Sequence, residues 1–365
     1  MNRLSILVTC GALALTIALT QCSRHRSTDL PLSWTLEREW FLKSASGIRT
    51  FDELMPFQLG TRDSTSIYVL DSRNHRVLVA NGAGVVTDSL GREGRGPGEL
   101  EYPVALEAAD SEIGVLDLAA RRVIRWTSGR QLLTPVSVRG AVEHPLVAVR
   151  GDEIRYVTSG PGPQGRSEYR LVSAGPAGTR VIATLPKQPR RVGDFPSCRA
   201  TEISVQPLFA PVIQWAARGD RMAVNATAGY SIDLFERDHH VATLTRPIAA
   251  ATADEHAAER AAEGWRLNGC LVPPKEVVRV AGFLTAIPVI RSLAFAPGGE
   301  LWVLRTTGPG PEDGVIDVFA PTGTYVGSLP RGTPFPAAFL GNHRILTIET
   351  DSLDLARIVS FEIRW

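Results

Sequence analysis

Few residues in this sequence have the types and spacing of a catalytic centre. The chain contains no HExxH, GxSxG, P-loop or EF-hand pattern. Of its seven histidines, only His239 and His240 are adjacent, and they fall at an expected turn, where polar side chains are normally solvated. The sequence therefore predicts no catalytic residue, no metal ligand and no cofactor.

Two aspartates recur at the same place in β-like runs of the sequence. Asp71 ends the run IYVLD and Asp117 ends the run IGVLD. A carboxylate at the end of a strand can accept hydrogen bonds from turn amides or pair with a nearby arginine. We interpret both aspartates as structural rather than functional.

Six prolines each open a short apolar run, and the side chains just beyond them are candidates for a binding site. The third position after each proline carries Leu59, Leu106, Ala148, Gln214, Arg291 and Phe339. One amide, one cation and no carboxylate make a poor site for a hard metal ion. The neighbouring carboxylates Glu99, Glu101 and Glu107 could still reach into the same space.

Ligand binding is therefore predicted at the polar members of this set, Gln214 and Arg291. Trp265 and Arg266 are added to the candidate site because they follow an expected helix end in an irregular part of the chain. Their indole and guanidinium groups could contact a planar or anionic ligand.

The six prolines mark six repeats, which begin at Pro56, Pro103, Pro145, Pro211, Pro288 and Pro336. In each repeat a turn and a β-rich strand follow the apolar run, and in most of them two more β-like runs come next. No apolar stretch in the repeats keeps the 3.6-residue period of a helix. Six repeats of four strands predict an all-β fold, a six-bladed β-propeller that protects its sheet edges by closing a ring.

The ends of the chain supply the strand that closes the predicted ring. The sixth repeat holds only three strands, the last at residues 357–364, and residues 34–42 form the one β-like run before the first proline. We expect this N-terminal strand to complete the last blade, so that residues 34–365 form one domain.

The glycine-rich run GREGRGPGEL at residues 91–100, with Pro103 and the run YVLDSRNHRV at residues 68–77, resembles the NHL-like six-bladed propellers of bacterial exported proteins. Their recurring pattern is a glycine-rich loop, a proline and a strand that ends in Val-x-Asp. The match is close in the first two repeats and looser in the fifth. The resemblance implies positive-φ turns between blades, and it implies little about function.

Two long connections interrupt the repeats, at about residues 186–210 and 247–287, and they are expected on one face of the ring. They carry Cys198 and Cys270, for which we predict a disulfide; two unrelated buried thiols are the alternative. The second connection also holds the one predicted helix, with a capping box from Thr252 to Glu255 and a stop at Gly264. This short helical insertion is either a lid or a passive cover.

The N-terminus has the pattern of an export signal, predicted over residues 1–21, followed by a tether at residues 22–33. Arg3 precedes an apolar run at residues 4–19, and the sequence LTQC at residues 19–22 resembles a bacterial lipobox, from which Gln21 departs because a small residue is usual there. We predict lipidation of Cys22 and a place in the periplasm or at the outer membrane. Soluble export and an uncleaved anchor are alternatives.

Composition limits the classes of partner. The net charge of +1 leaves no electrostatic footprint for nucleic acid. We expect a monomer that touches the membrane only through its lipid and that binds a protein, peptide or glycan. The alternative is a metal-dependent hydrolase, similar to the lactonases, with a site at the channel mouth.

Overall fold

The computed structural model describes residues 29–365 except 45–46, 49–50, 52–54, 56–57, 63, 109–111, 309, 311–313 and 354. The predicted signal peptide at residues 1–21, the predicted lipidation site Cys22 and Pro56 therefore lie outside the described residues. No α-helix among the residues described is long and apolar enough to cross a membrane.

The described part of the chain begins with β1 (Thr35–Phe41), β2 (Lys43–Ser44) and β3 (Gly47–Ile48). Three blades of four antiparallel strands follow. The first blade is β4 (Leu59–Arg62), β5 (Ser66–Asp71), β6 (Arg76–Asn81) and β7 (Val86–Leu90). The second is β8 (Pro103–Ala108), β9 (Glu112–Asp117), β10 (Arg122–Thr127) and β11 (Leu132–Ser137). The third is β12 (Val142–Arg150), β13 (Glu153–Pro161), β14 (Ser167–Gly175) and β15 (Gly178–Pro186).

The second half of the chain adds two blades and the inserted elements. A hairpin of β16 (Arg191–Phe195) and β17 (Ala200–Val205) precedes the fourth blade, which is β18 (Gln214–Arg218), β19 (Arg221–Asn225), β20 (Ser231–Glu236) and β21 (His239–Thr245). Then come α1 (Glu255–Ala261), β22 (Arg266–Leu267), β23 (Cys270–Leu271) and α2 (Pro274–Ala281). The fifth blade is β24 (Ile290–Phe295), β25 (Leu301–Thr306), β26 (Gly314–Phe319) and β27 (Tyr325–Ser328).

The sixth blade joins the two ends of the chain and closes the ring. It consists of β28 (Ala338–Phe339), β29 (Arg344–Thr350), β30 (Ala356–Arg364) and the N-terminal strand β1, in that order. Thr35 lies opposite Arg364, and Phe41 lies opposite Val359. The prediction of a six-bladed propeller closed by its N-terminal strand is therefore confirmed.

The core is divided among the spaces between neighbouring blades. Strand β5 shows how one strand serves two of these spaces, because its side chains alternate between the two faces of the sheet. Ile67 and Val69 pack towards the sixth blade, whereas Tyr68 and Leu70 pack towards the second. The central positions of such a strand are all apolar because both of its faces are covered, which explains the short apolar runs of the sequence.

The two insertions form one small body with its own core. Phe195 of β16 packs with Ala262, Val272 and Val277 from the second insertion. The predicted disulfide is confirmed: Cys198 is bonded to Cys270, with 5.9 Å between the two Cα atoms.

The predicted helix forms, with two corrections. Helix α1 is capped by Asp254 instead of Thr252, because the Asp254 carboxylate accepts a 2.8 Å hydrogen bond from the Ala257 amide. A second helix, α2, was missed because the Pro273-Pro274 pair reads as a break in the sequence. Proline is tolerated at the first position of a helix, where its missing N–H has no partner in any case.

The two recurrent aspartates make structural contacts of the predicted kind, with turn amides or a nearby arginine. Asp71 accepts hydrogen bonds from the side chains of Asn74 and Arg76. Asp117 accepts from the amides of Glu101 and Tyr102, which fixes the end of the loop.

The end of the predicted tether is docked on the fifth blade. The amide of Ser328 donates to the Leu30 carbonyl at 2.7 Å, and the Leu32 amide donates to the Ser328 carbonyl at 2.9 Å. The Asp29 carboxylate pairs with Arg246 at 2.9 Å and with Arg305 at 2.5 Å. Both arginines also pair with one fully buried carboxylate, which is that of Asp317 in β26. Burial alone would lower the pKa of Arg246, but its hydrogen bonds to Asp317 and Asp29 raise it.

Candidate functional site

The first strand of each blade faces the central channel, and the six positions predicted to line it separate into three groups. Leu59, Ala148 and Phe339 do line the channel. Leu106 does not, because it is buried between the first and second blades. Gln214 and Arg291 line a separate, larger pocket beside the insertion.

This larger pocket, called the insertion pocket below, has a volume of about 490 Å³. It lies between the start of β18 and the start of β24, and helix α1 borders it from above. The described residues that line it are Phe209, Ala210, Val212, Gln214, Arg260, Ala261, Glu263, Ile287, Pro288, Ile290, Arg291, Thr306, Gly308 and Gly310.

Three polar side chains of the blades converge on the insertion pocket. The Gln214 amide group makes no hydrogen bond with any other residue that the structure describes, although it is only half-buried. Arg291 donates to the Gly310 carbonyl at 3.3 Å. The Thr306 hydroxyl oxygen is buried and has no hydrogen-bond partner within the described part of the chain. Buried polar groups normally find partners, so the unpartnered Thr306 hydroxyl favours a binding site at this pocket.

The apolar wall of the pocket is held in an unusual backbone conformation. Phe209 has a φ of +61°, a left-handed value that bulky side chains rarely adopt. The turn that contains it is fixed by a 3.2 Å hydrogen bond from the Ala210 amide to the Pro207 carbonyl. Its side chain packs against a small buried cluster of Ala253, Ala257 and Ile287. Backbone strain of this kind is concentrated at functional sites.

Two of the four predicted binding residues lie outside the insertion pocket. Trp265 is half-buried in the inserted body, where its ring stacks on Phe195 with the ring centroids 5.2 Å apart. Arg266 is exposed and donates to the Gly269 carbonyl at 3.2 Å within its own hairpin. The sequence analysis grouped them with Gln214 because they follow the end of the predicted helix. Helix α1 does border the pocket, but the chain leaves the pocket after this helix.

Sequence reasoning missed Phe209, Thr306 and Arg260 of this pocket. Thr306 ends the second strand of a blade, and Phe209 belongs to a connection without any motif. Only Arg260 had a usable signal, since it lies in the last turn of the predicted helix.

The central channel holds a second, smaller cavity of about 160 Å³, lined by the inner strands of all six blades. Its charged lining residues are Glu107 of β8 and Arg218 of β18. Burial raises the pKa of Glu107 to about 7, and the nearby Arg218 guanidinium opposes that shift. The sequence had named Glu107 together with Glu99 and Glu101, which instead pair with Arg92 and Arg95 in the glycine loop.

Among the described residues, metal-ligating side chains do not gather at either cavity. Within the described ranges, no three His, Cys, Asp or Glu side chains come together in a way that could hold a metal ion.

Comparisons with known proteins give structural neighbours but no family. No protein-family profile matches the sequence, and no curated protein matches it either. A protein from Bacteroides fragilis whose name describes it as exported is 11% identical, with a TM-score of 0.48 over 91% of this chain and 96% of that chain. A member of the DUF4221 family from Bacteroides vulgatus is 9% identical, with a TM-score of 0.47 over 91% and 98%. The PQQ-bound aldose sugar dehydrogenase from Streptomyces coelicolor is 14% identical, with a TM-score of 0.42 over 91% and 98%. These values carry no argument about function.

Proposed function

We propose that the protein is an exported binding protein that holds the C-terminal carboxylate of a peptide in the insertion pocket. The observation that carries this proposal is the convergence of Gln214, Arg291 and Thr306 on one open pocket with an apolar wall. The NHL-like ancestry and the lipid anchor at Cys22 belong to the same proposal.

Charge favours an anionic ligand in this pocket. Among the described residues that line it, two carry a guanidinium group, Arg260 and Arg291, and one carries a carboxylate, the exposed Glu263. A guanidinium recognises a carboxylate through two parallel N–H donors, so a terminal carboxylate matches Arg291 in both charge and shape. Gln214 and Thr306 can then bond the backbone groups next to that carboxylate.

The apolar wall favours a peptide over a glycan. Phe209, Ile287 and Ile290 provide space for an aliphatic or aromatic side chain next to the bound carboxylate. Tyrosine and tryptophan, whose flat amphipathic faces suit sugar rings, do not occur among the described lining residues.

Export is supported by the cysteines. Cys198 and Cys270 form a disulfide, and structural disulfides persist in oxidising compartments outside the cytosol. The apolar run at residues 4–19 provides the signal, and Cys22 follows it at the spacing of a lipobox.

The test uses the mature chain from residue 22 with Cys22→Ser, incubated with a pool of random tetrapeptides. One pool carries free C-terminal carboxylates, and a second has the same sequences with C-terminal amides. We expect the protein to retain members of the first pool and to bind the corresponding amides at least tenfold more weakly. Retention of both pools alike, or of neither at 1 mM total peptide, would contradict the proposal.

Variants of the pocket locate the binding. Arg291→Ala should weaken binding of a retained peptide about 10- to 100-fold, the value of a lost charge-assisted hydrogen bond. Gln214→Ala should weaken it less and leave the fold unchanged, since its side chain bonds no described residue. Arg266→Ala is the matched control because Arg266 is exposed outside the pocket. Equal affinity of the Arg291 variant and the wild type would place the site elsewhere.

A further inference from the structure

The segment that precedes β1 occupies a place on the fifth blade that the proposed function does not use. Residues 29–32, called the N-terminal strap below, lie along the edge of β27, and Pro31 forms a parallel bridge with Ser328. The Leu30 carbonyl and the Leu32 amide both bond the backbone of Ser328. Proline has no N–H to donate, and none is needed at position 31 because its two neighbours make the bonds. The strap thus adds a short extended strand to a sheet edge, which is a common way of binding peptides.

Two buried arginines form the charged end of this place. The side chains of Arg246 and Arg305 are 5% and 7% exposed, and they contact the Asp29 carboxylate at 2.9 and 2.5 Å. Both also pair with Asp317, whose side chain is fully buried. In the part of the chain that the structure describes, Asp317 alone would leave one of the two positive charges uncompensated, and a buried charge in that state is strongly destabilising. Whatever occupies the edge of β27 must therefore supply an acidic group.

The arginines are also held by groups other than the strap. Arg246 and Arg305 donate to the Asp317 carboxylate at 2.6 and 3.0 Å, and the Tyr230 hydroxyl donates to it at 2.8 Å. The Arg246 guanidinium lies over the Tyr325 ring, 3.9 Å from its centroid. A site that is organised by its own network costs less to order when an occupant binds.

The strap, in contrast, is held over a small area. Leu30 is 57% exposed and Pro31 is exposed, so these two residues bury little apolar surface. Leu32 is half-buried against the cluster between the fifth and sixth blades. A Cβ atom at Gly327 would come within 2.6 Å of the Leu30 carbonyl oxygen, so the glycine gives the strap its room. An organised site with a largely exposed occupant is suited to exchange of that occupant.

We propose that the edge of β27 is a binding site for an extended segment of a partner protein, in which an acidic residue precedes aliphatic residues. The N-terminal strap is the built-in competitor of that segment. The partner's acidic side chain takes the place of the Asp29 carboxylate between Arg246 and Arg305, and the strap is released. This binding is independent of the insertion pocket, because it requires no C-terminal carboxylate.

The test measures the binding of a fluorescent peptide, TDLPLS, by anisotropy to the mature Cys22→Ser chain. The peptide reproduces residues 28–33 with both ends blocked, so it offers no terminal carboxylate to the insertion pocket. The covalently linked strap competes at an effective concentration of about 1 mM, and Asp29→Asn weakens this competitor. We expect the Asp29→Asn chain to bind the peptide at least tenfold more tightly than the chain with the native strap. Equal affinity of the two chains, or no binding to the variant at about 200 μM protein, would overturn the proposal.

Matched changes show whether the peptide uses the same contacts. A peptide with asparagine in place of its aspartate should bind the Asp29→Asn chain at least tenfold more weakly, and equal affinity for the two peptides would contradict the proposal. Gly327→Ala in that chain should also weaken binding at least tenfold, because the added Cβ meets the backbone of the bound segment. Glu37→Gln is the control for Asp29→Asn, since the exposed Glu37 pairs with Arg364 and its loss should leave peptide affinity at the value of the native strap.

Hydrogen exchange tests the displacement in the chain with its native strap. The Leu32 amide donates to the Ser328 carbonyl, so release of the strap exposes this amide to water. We expect about 5 mM of the aspartate peptide to speed exchange at Leu32, and the asparagine peptide to have no such effect. Exchange at Leu32 that the aspartate peptide leaves unchanged would mean that the strap is a fixed part of the blade.

Discussion

At the scale of single residues, the two cavities differ in how their polar groups are held. Arg291 lies at the start of a strand and is bonded to the Gly310 carbonyl, so its position is fixed before a ligand arrives. Glu107 makes no hydrogen bond with any residue that the structure describes, and its charged neighbour is the Arg218 guanidinium. Preorganised groups cost less to order on binding. The fixed Arg291 guanidinium therefore makes the insertion pocket a stronger candidate than the channel for binding a peptide.

The raised pKa of Glu107 predicts a dependence of stability on pH. The folded protein binds the Glu107 proton up to about pH 7, whereas an unfolded chain releases it near pH 4.5. The folded state therefore holds more protons between these values, and the free energy of unfolding falls as the pH rises through this window. Arg218 is the other charged residue among the described residues that line the channel.

Glu107→Gln should remove this dependence. At pH 8 we expect the variant to be more stable than the wild type by about 2 kcal/mol, after allowance for the partial exposure of the side chain. Near pH 4.5 the two proteins should be nearly equal. Urea denaturation at both pH values measures the difference, and Glu153→Gln serves as the control because the exposed Glu153 pairs with Arg150 at 3.7 Å. A Glu107 variant that is less stable than the wild type at pH 8 would show that the carboxylate has a stabilising partner.

At the scale of elements, the insertion positions the pocket that the blades alone leave open. Hairpin β16–β17 and the segment from α1 to α2 share one core, and the disulfide joins them across 72 residues of sequence. Hydrogen bonds between Leu208 and both Gly282 and Leu284 then attach this body to the connection that carries Phe209. The strained Phe209 turn is thus fixed by the insertion.

Replacement of both cysteines should loosen this cover without opening the ring. A loop of this length contributes about 4 kcal/mol in a chain-entropy estimate, so Cys198→Ser with Cys270→Ser should lower the melting temperature by several degrees. Hydrogen exchange should become faster in α1, α2 and the two hairpins, while the exchange in strands of the first and second blades stays unchanged. A loss of protection in all six blades would mean that the insertion is part of the ring's own stability.

At the scale of the whole molecule, the ring could be predicted because every blade needs the same apolar strands, which therefore recur along the sequence. Each blade is covered on both faces, so each repeat carries unbroken apolar runs, and the chain ends supply the missing strand β1. The disulfide followed from the position of two cysteines on consecutive connections.

The membership of the site could not be predicted, because it depends on packing and on contacts between residues that are far apart in the sequence. The path of the chain after α1 depends on packing within the insertion, which moved Trp265 and Arg266 away from Gln214. Helix α2 starts at Pro274, directly after Pro273, and the pair was interpreted as a break although the helix buries Val277 and Val280. The clamp of Asp29 by Arg246 and Arg305 joins residues more than 200 positions apart, which no short motif records.

The central claim of this account is that the insertion pocket recognises a terminal carboxylate. The most direct measurement is a crystal structure of the mature Cys22→Ser chain with the tightest tetrapeptide from the free-carboxylate pool. We predict that the peptide carboxylate lies within hydrogen-bond distance of the Arg291 guanidinium and that its last side chain packs against Phe209. A peptide bound at any other surface, with the pocket filled only by water, would contradict the claim.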